Sequence, residues 1–242
     1  MRWVVTGGSG NLGDALNTAP GCDTKDWLFK HKGVLDVTWS AERLAAVLEV
    51  WKAEGVINLA ACTDVSLCEM NPKLAREVNT EGAANMANAC AILDIPMIHV
   101  STDYVFGGGV APYGVGATLC PTNVYGATKA AAEYRVRDVG GVVVRMSFLP
   151  DPPGYAWVAD GVRCTKEWVD SAARRLAAFV MLGMFVSGEV YNLVPERETT
   201  LSDLVRSRYG LLPVKPLEQV VEVLPYTLPV DVRLCEVWGG TG

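Results

Sequence analysis

Histidine is scarce in this chain, with only His31 and His99 among 242 residues. Two histidines leave little room for histidine-based acid–base catalysis. With seven cysteines and no C-x-x-C among them, they also argue against a zinc site. An odd cysteine count at scattered positions reads as free thiols in a reducing compartment. Long apolar runs are missing too. The longest, "LAAFVMLGMFV" from Leu176 to Val186, is shorter than the ~18 residues a membrane span needs and reads as a core helix. The opening "MRWVVTGG" enters a strand at once, with no apolar signal core. A basic block is absent and the formal net charge is -6, which argues against a nucleic-acid backbone as partner. No repeat or low-complexity segment interrupts the chain. The expectation is a soluble, cytoplasmic, metal-free protein.

What is present has the composition of a globular domain: half the residues are hydrophobic and 20% are charged. Apolar strand-like runs at 2–7, 56–61, 96–102 and 141–147 alternate with helical patterns at 40–55, 71–95 and 122–138. Pro72 stands at the first turn of the long middle helix. Such alternation predicts an α/β, Rossmann-type doubly wound parallel sheet buried on both faces. The boundary is set at 148. Residues 1–148 form the dinucleotide-binding unit, and 149–242 form a small C-terminal substrate-binding lobe, interleaved with the sheet rather than folding alone. That lobe is predicted to hold a helix at 166–183, a strand at 189–194 and a helix beginning at "TTLSDLVRSRYG". Ligands in such sheets gather beyond the carboxyl ends of the strands.

"TGGSGNLG" (6–13) follows the first strand. Its glycines permit a tight turn and a close approach of backbone to a pyrophosphate, which a helix N-terminus then attracts. The second strand lies near "DWLFKHKG" (26–33) and ends in Lys30, His31 and Lys32 rather than in an acid. Cations there suit the 2′-phosphate of NADPH, with NADH also open; the alternative is a solvated basic turn. Asp36 comes late for a ribose and belongs near the adenine.

"TNVYGATKAAAEYRV" sets Tyr125 and Lys129 one helical turn apart, on one face, among small residues. A phenol releases its proton near pH 10, and a neighbouring ammonium lowers that value. The pair can then protonate an alkoxide. Ser101 and Thr102, at the end of "HVST", supply hydroxyls for a substrate carbonyl.

Together "TGGSGNLG", "NLAACTDVSLCE", "VNTEGAANMA", "VSTDYVFGG" and "PTNVYGATKAAAE" resemble the extended short-chain dehydrogenase/reductase superfamily, and within it the dTDP-4-dehydrorhamnose reductase family. The resemblance covers about 1–150, with weaker echoes at 160–173 and 228–238. It implies Thr102, Tyr125 and Lys129 as catalytic residues. It implies Gly7, Gly10, Asn11, Leu12 and Gly13 at the pyrophosphate, Asp36 and Val37 at the adenine, and Ala60, Ala61 and Thr63 along the cofactor. Asn79 would support that last loop, and Ser101 would sit beside the cofactor. Thr63, Asp103, Tyr104 and Phe148 would face a nucleotide-sugar substrate. A homodimer is also expected, since superfamily members often pair.

Two departures stand out. Phe148 replaces the family's usual tryptophan, and the segment from 149 to 160 is short. Trp157 there is either a stacking surface or a packed aromatic. The implied activity is NADPH-dependent reduction of a 4-keto sugar nucleotide in deoxysugar biosynthesis. The alternatives are an NAD-dependent epimerase or dehydratase, and a non-enzymatic NADP-binding regulatory subunit.

Overall fold

The computed structural model describes residues 1–22, 26–109, 111–152, 158–159, 162–183, 185–195, 199–209 and 214–215, with backbone alone at 158–159 and 214–215. Trp157 and the 228–238 segment lie outside these residues. In chain order the first half gives β1 (Trp3–Thr6), α1 (Asn11–Asn17), β2 (Trp27–Lys30), α2 (Ala41–Val50), β3 (Gly55–Asn58), α3 (Val65–Met70), α4 (Pro72–Arg76), α5 (Gly82–Ile92) and β4 (Met97–Thr102). After these come α6 (Val124–Arg137), β5 (Val142–Met146), β6 (Phe148–Leu149), β7 (Val158–Ala159), β8 (Arg163–Cys164), β9 (Glu167–Trp168) and α7 (Val169–Leu182). The chain continues with β10 (Val190–Asn192), β11 (Thr199–Thr200), α8 (Leu201–Tyr209) and β12 (Val214–Lys215).

Six strands form one parallel sheet in the order β10-β5-β4-β3-β1-β2. The chain runs from β1 outward to β2 and then returns to the other side of β1 as β3. The strand order therefore reverses beside β1, where such sheets open a crevice at their carboxyl ends. Side chains alternate between two cores. Trp3, Val5, Ile57, Ile98, Val142 and Val144 pack beneath α1 and α7, while Val4, Val56, Met97 and Val143 pack beneath α2, α5 and α6. This two-sided burial is why the strands read as continuous apolar runs rather than as alternating ones.

The residues after 148 divide between two places. α7 packs on α1, and β10 joins the main sheet beside β5. The short pairs β6–β9, β8–β11 and β7–β12 and the helix α8 are the other regular elements among the described residues after 148.

The long helix expected over 71–95 is not one regular helix. Asn71 caps α4, with Pro72 at its start, and a π-helical turn at Glu77–Glu81 joins α4 to α5. The wider turn buries Asn79 and Thr80, whose side chains bond elsewhere in the fold. The apolar run at 56–61 likewise stops being a strand after Asn58, and Leu59 to Ala61 turn away as cavity wall. The six described cysteines are free thiols.

Candidate active site

A cavity of about 800 Å³ opens at the carboxyl ends of β1, β3, β4 and β5. Its floor is the turn between β1 and α1. Gly7 holds a left-handed φ of 65°, and a Cβ there would stand 2.8 Å from the Ala60 nitrogen. At Gly13 a Cβ would meet the Gly7 carbonyl at 2.6 Å. Both glycines are therefore demanded by contact, and they let α1 start directly behind the turn. Gly10, as N-cap, brings no side chain to the first amides of the helix. Gly7, Gly10, Asn11, Leu12 and Gly13 all line the cavity.

At the outer rim the cations separate. Lys30 does not reach the cavity; its ammonium lies over the Trp51 ring, 4.7 Å from the centroid. The expectation for Lys30 is corrected: at this rim the lysine that lines the cavity is Lys32, which pairs with Asp36 at 3.8 Å. Asp36 also accepts from the Thr38 amide and hydroxyl, and both Asp36 and Val37 line the wall.

Along the opposite wall run Ala60, Ala61 and Thr63. Asn79 lies behind them, outside the cavity. Its side chain accepts from the Cys62 amide (2.7 Å) and donates to the Cys62 carbonyl (3.1 Å) and to Thr128 Oγ1 (3.0 Å), so one buried amide joins this loop to α6.

The inner end is built by close approach. α6 starts at Asn123, whose side chain accepts from the Gly126 amide at 2.8 Å. A Cβ on Gly126 would sit 2.1 Å from the Tyr104 carbonyl. Glycine thus lets the helix press against the turn at 103–105, which carries Tyr125 to Thr102. The Tyr125 phenol lines the cavity beside Thr102, and its ring meets Tyr104 edge-on with centroids 5.8 Å apart. Burial raises the phenol above its ordinary range. Thr102 and Lys166 pull it back, while Asp103 and Tyr104 push it further up.

This corrects the expectation of a phenol acidified by Lys129. The Lys129 Nζ donates to the Val100 carbonyl at 2.7 Å and lies 3.1 Å from His99 Nε2. Behind it, Thr6 donates to Asn58 Oδ1 (2.5 Å) and Asn58 Nδ2 faces His99 Nδ1 (3.0 Å). That geometry assigns the proton of a neutral imidazole to Nε2, toward the lysine, which favours an uncharged amine. Burial lowers Lys129 to about 8, against a smaller upward pull from Glu133. Burial and Lys129 together hold His99 well below its usual range. The i, i+4 spacing placed both side chains on one helix face, but a buried histidine turns the lysine aside.

Ser101 donates its hydroxyl to Glu133 at 2.6 Å, and Glu133 grips Arg145 at 2.7 Å, with both ionic side chains at most 3% exposed. Ser101 reaches the cavity, but its proton is committed to Glu133. Asp103 was expected to face the substrate. It is 1% exposed, and both carboxylate oxygens are engaged: Thr102 donates at 3.0 Å, Ser147 at 2.5 Å and Lys166 at 2.9 Å. Tyr104 and Phe148 line the cavity. Residue-by-residue reading missed Lys166, Ser147 and His99. No local pattern marks them, since each acts through partners distant in sequence.

Residues 1–161 match the family model described as RmlD substrate binding domain. The chain is 34% identical over 239 residues to a dTDP-4-dehydrorhamnose reductase of Streptomyces griseus, covering 89% of this chain and 77% of that one. It is 31% identical to a dTDP-4-keto-6-deoxy-D-glucose reductase of Streptomyces niveus, covering 89% and 80%. The fold superposes on a dTDP-4-dehydrorhamnose reductase of Clostridium acetobutylicum with a TM-score of 0.84 at 21% identity, over 98% and 90% of the two chains. A Bacillus anthracis dTDP-4-dehydrorhamnose reductase in complex with NADP superposes at 0.83 and 21%, with the same coverage.

Proposed function

Because this chain belongs to the RmlD substrate-binding-domain family, we propose that it is an NADPH-dependent reductase of a 4-keto deoxysugar nucleotide of the dTDP-4-dehydrorhamnose kind. The observation that carries the reading is the placing of Tyr125 and Thr102 together at the inner end of one glycine-floored cavity. The substrate class is that of the relatives, a dTDP-4-dehydrorhamnose reductase and a dTDP-4-keto-6-deoxy-D-glucose reductase.

The residues present fit a dinucleotide. The glycine cradle would be filled by any Cβ at Gly7 or Gly13, the cavity has room, and the Lys32 cation lines its outer rim. Gly10 to Gly13 would hold the pyrophosphate, Asp36 and Val37 would border the adenine, and Lys32 would meet the 2′-phosphate. Lys129, on the cavity wall, would hold the nicotinamide ribose. When bound, NADPH supplies a hydride to the sugar carbonyl carbon. Tyr125 gives its phenolic proton to the carbonyl oxygen, so that the developing alkoxide leaves as an alcohol. Thr102 stands beside the phenol, its own proton given to Asp103, and links the proton donor to that carboxylate. Tyr104 and Phe148 provide flat walls that exclude water from the reacting centre.

β2 is followed by His31 and Lys32 rather than by an acid, which favours NADPH over the tightly held NAD of an epimerase or dehydratase. Among the described residues no helix is long and apolar enough to cross a membrane. A homodimer remains part of the proposal, and sedimentation tests it. The activity is tested by following NADPH absorbance with dTDP-4-keto-6-deoxy sugars. Oxidation with formation of the 4-hydroxy sugar is expected. Bound NADPH with no turnover on any of them would instead support a regulatory subunit.

A further inference from the structure

Lys166 lies between β8 and β9, in the segment that follows the shortened part of the chain. Only 12% of its side-chain surface is exposed, and that surface belongs to the cavity wall. Its Nζ donates to Asp103 Oδ2 at 2.9 Å and also bonds Ser147 Oγ. It stands 5.3 Å from the centre of the Tyr104 ring, whose edge contact with Tyr125 completes the group. The groups facing it are Asp103 and Tyr104 after β4, Tyr125 on α6, Ser147 after β5 and Cys164 on β8.

These contacts form a continuous path. Tyr125 stands beside Thr102 on the cavity wall, Thr102 donates to one oxygen of Asp103, and the other oxygen receives Lys166 and Ser147. Asp103 is thus a buried carboxylate directly behind Thr102, and its charge pushes up the phenol that must become negative when it gives up its proton. Two negative charges that close in a dry pocket oppose each other strongly. Lys129 does not relieve this in the arrangement seen, because its Nζ is spent on Val100 and His99. Lys166 is the cation on the path.

We propose that Lys166 is a positioning residue for this reduction: its ammonium neutralises Asp103 behind Thr102 and so sets the charge that Tyr125 meets as its proton leaves. The inference rests on the reductase reading and deepens it. The direction of the electrostatics agrees. Burial alone would lower the Lys166 ammonium, but Asp103, Tyr104 and Cys164 outweigh it and hold it above its ordinary range, so it stays charged at neutral pH. Lys166 also pulls the Tyr125 phenol downward, against burial.

The test compares wild type, Lys166→Gln and Lys166→Arg as full chains, with NADPH and a dTDP-4-keto-6-deoxy sugar. Glutamine keeps a hydrogen bond to Asp103 but brings no charge; arginine keeps the charge. Lys166→Gln is expected to lose roughly 10- to 100-fold in kcat, part of what a positioned proton donor contributes. Its NADPH Kd, read by cofactor fluorescence, stays unchanged. Its solvent deuterium effect on kcat rises, because proton donation becomes the slower event. Lys166→Arg recovers most of the loss.

Should Lys166→Gln fail to fold, the double variant Asp103→Asn/Lys166→Gln carries the test. With both charges gone it must return within about tenfold of wild-type kcat. A Lys166→Gln enzyme with wild-type kcat overturns the proposal while leaving the reductase reading intact. So does a loss of kcat with an unmoved solvent isotope effect and no recovery in Lys166→Arg. A wild-type chain that turns over none of these sugars overturns the reductase reading itself, and this inference with it.

Discussion

Lys129→Met should stabilise the protein at neutral pH while abolishing its activity, and the stability effect should fade as the pH rises. Lys129 is 2% exposed. Its amine is lowered from an ordinary 10.5 to about 8, mainly by burial. At 1.36 kcal/mol per tenfold, that difference sets on the order of 3 kcal/mol against carrying the charge in the folded state. The unfolded chain binds the proton up to about pH 10.5, and the folded chain releases it near 8. The unfolded state therefore holds more protons between those values, and wild-type stability gains from this group as the pH climbs through the window. Below about pH 8 the cost is fully present; above 10.5 it is gone. Methionine has no such titration. Loss of the bond to the Val100 carbonyl offsets part of its advantage at every pH, by about 1–3 kcal/mol. The pH-dependent part of the difference survives this offset. Urea unfolding of both proteins at several pH values from 7 to 10.5 should show the variant's relative stability falling by on the order of 3 kcal/mol across the range. Parallel curves would refute the claim that Lys129 is a charge held at a cost.

Tyr125→Phe should lower kcat by roughly 10²- to 10⁴-fold with little change in NADPH affinity, since only the proton donor is lost; stopped-flow turnover and fluorescence titration check both halves. Gly126→Ala forces a methyl to within 2.1 Å of the Tyr104 carbonyl, so α6 must retreat. We expect about 1–3 kcal/mol of lost stability in urea unfolding and up to about 100-fold in kcat, because Tyr125 moves with the helix. Lys32→Glu should raise the KM for NADPH by roughly 10-fold or more and leave that for NADH nearly unchanged, since it removes the charged partner of a 2′-phosphate.

The strands and the first glycine turn were legible because their demands are local. A parallel strand buried on both faces must be apolar throughout, and a backbone that closes on Ala60 at Gly7 must lack a Cβ. The phrases around Thr102 and Tyr125 were legible for a similar reason, since one strand end and one helix start carry them. Long-range orientation was not. Lys129 leans on His99, thirty residues away in sequence, and Lys166 reaches Asp103 across sixty-three. Nothing in either segment announces its partner. The π turn at Glu77–Glu81 escaped because its residues have ordinary helical character; what it accomplishes is to bury Asn79 against Cys62 and Thr128. Lys30 and Lys32 looked interchangeable in sequence, and the Trp51 ring separates them by drawing one away.

The most direct test of the whole account follows one atom. NADPH deuterated at the transferring position of the nicotinamide is incubated with the protein and dTDP-4-dehydrorhamnose, and the product is read by NMR. The account predicts deuterium bonded to C4 of the sugar, in one configuration, with an equal amount of NADP formed. An unlabelled product, label at another carbon, or no product with cofactor still bound would contradict it.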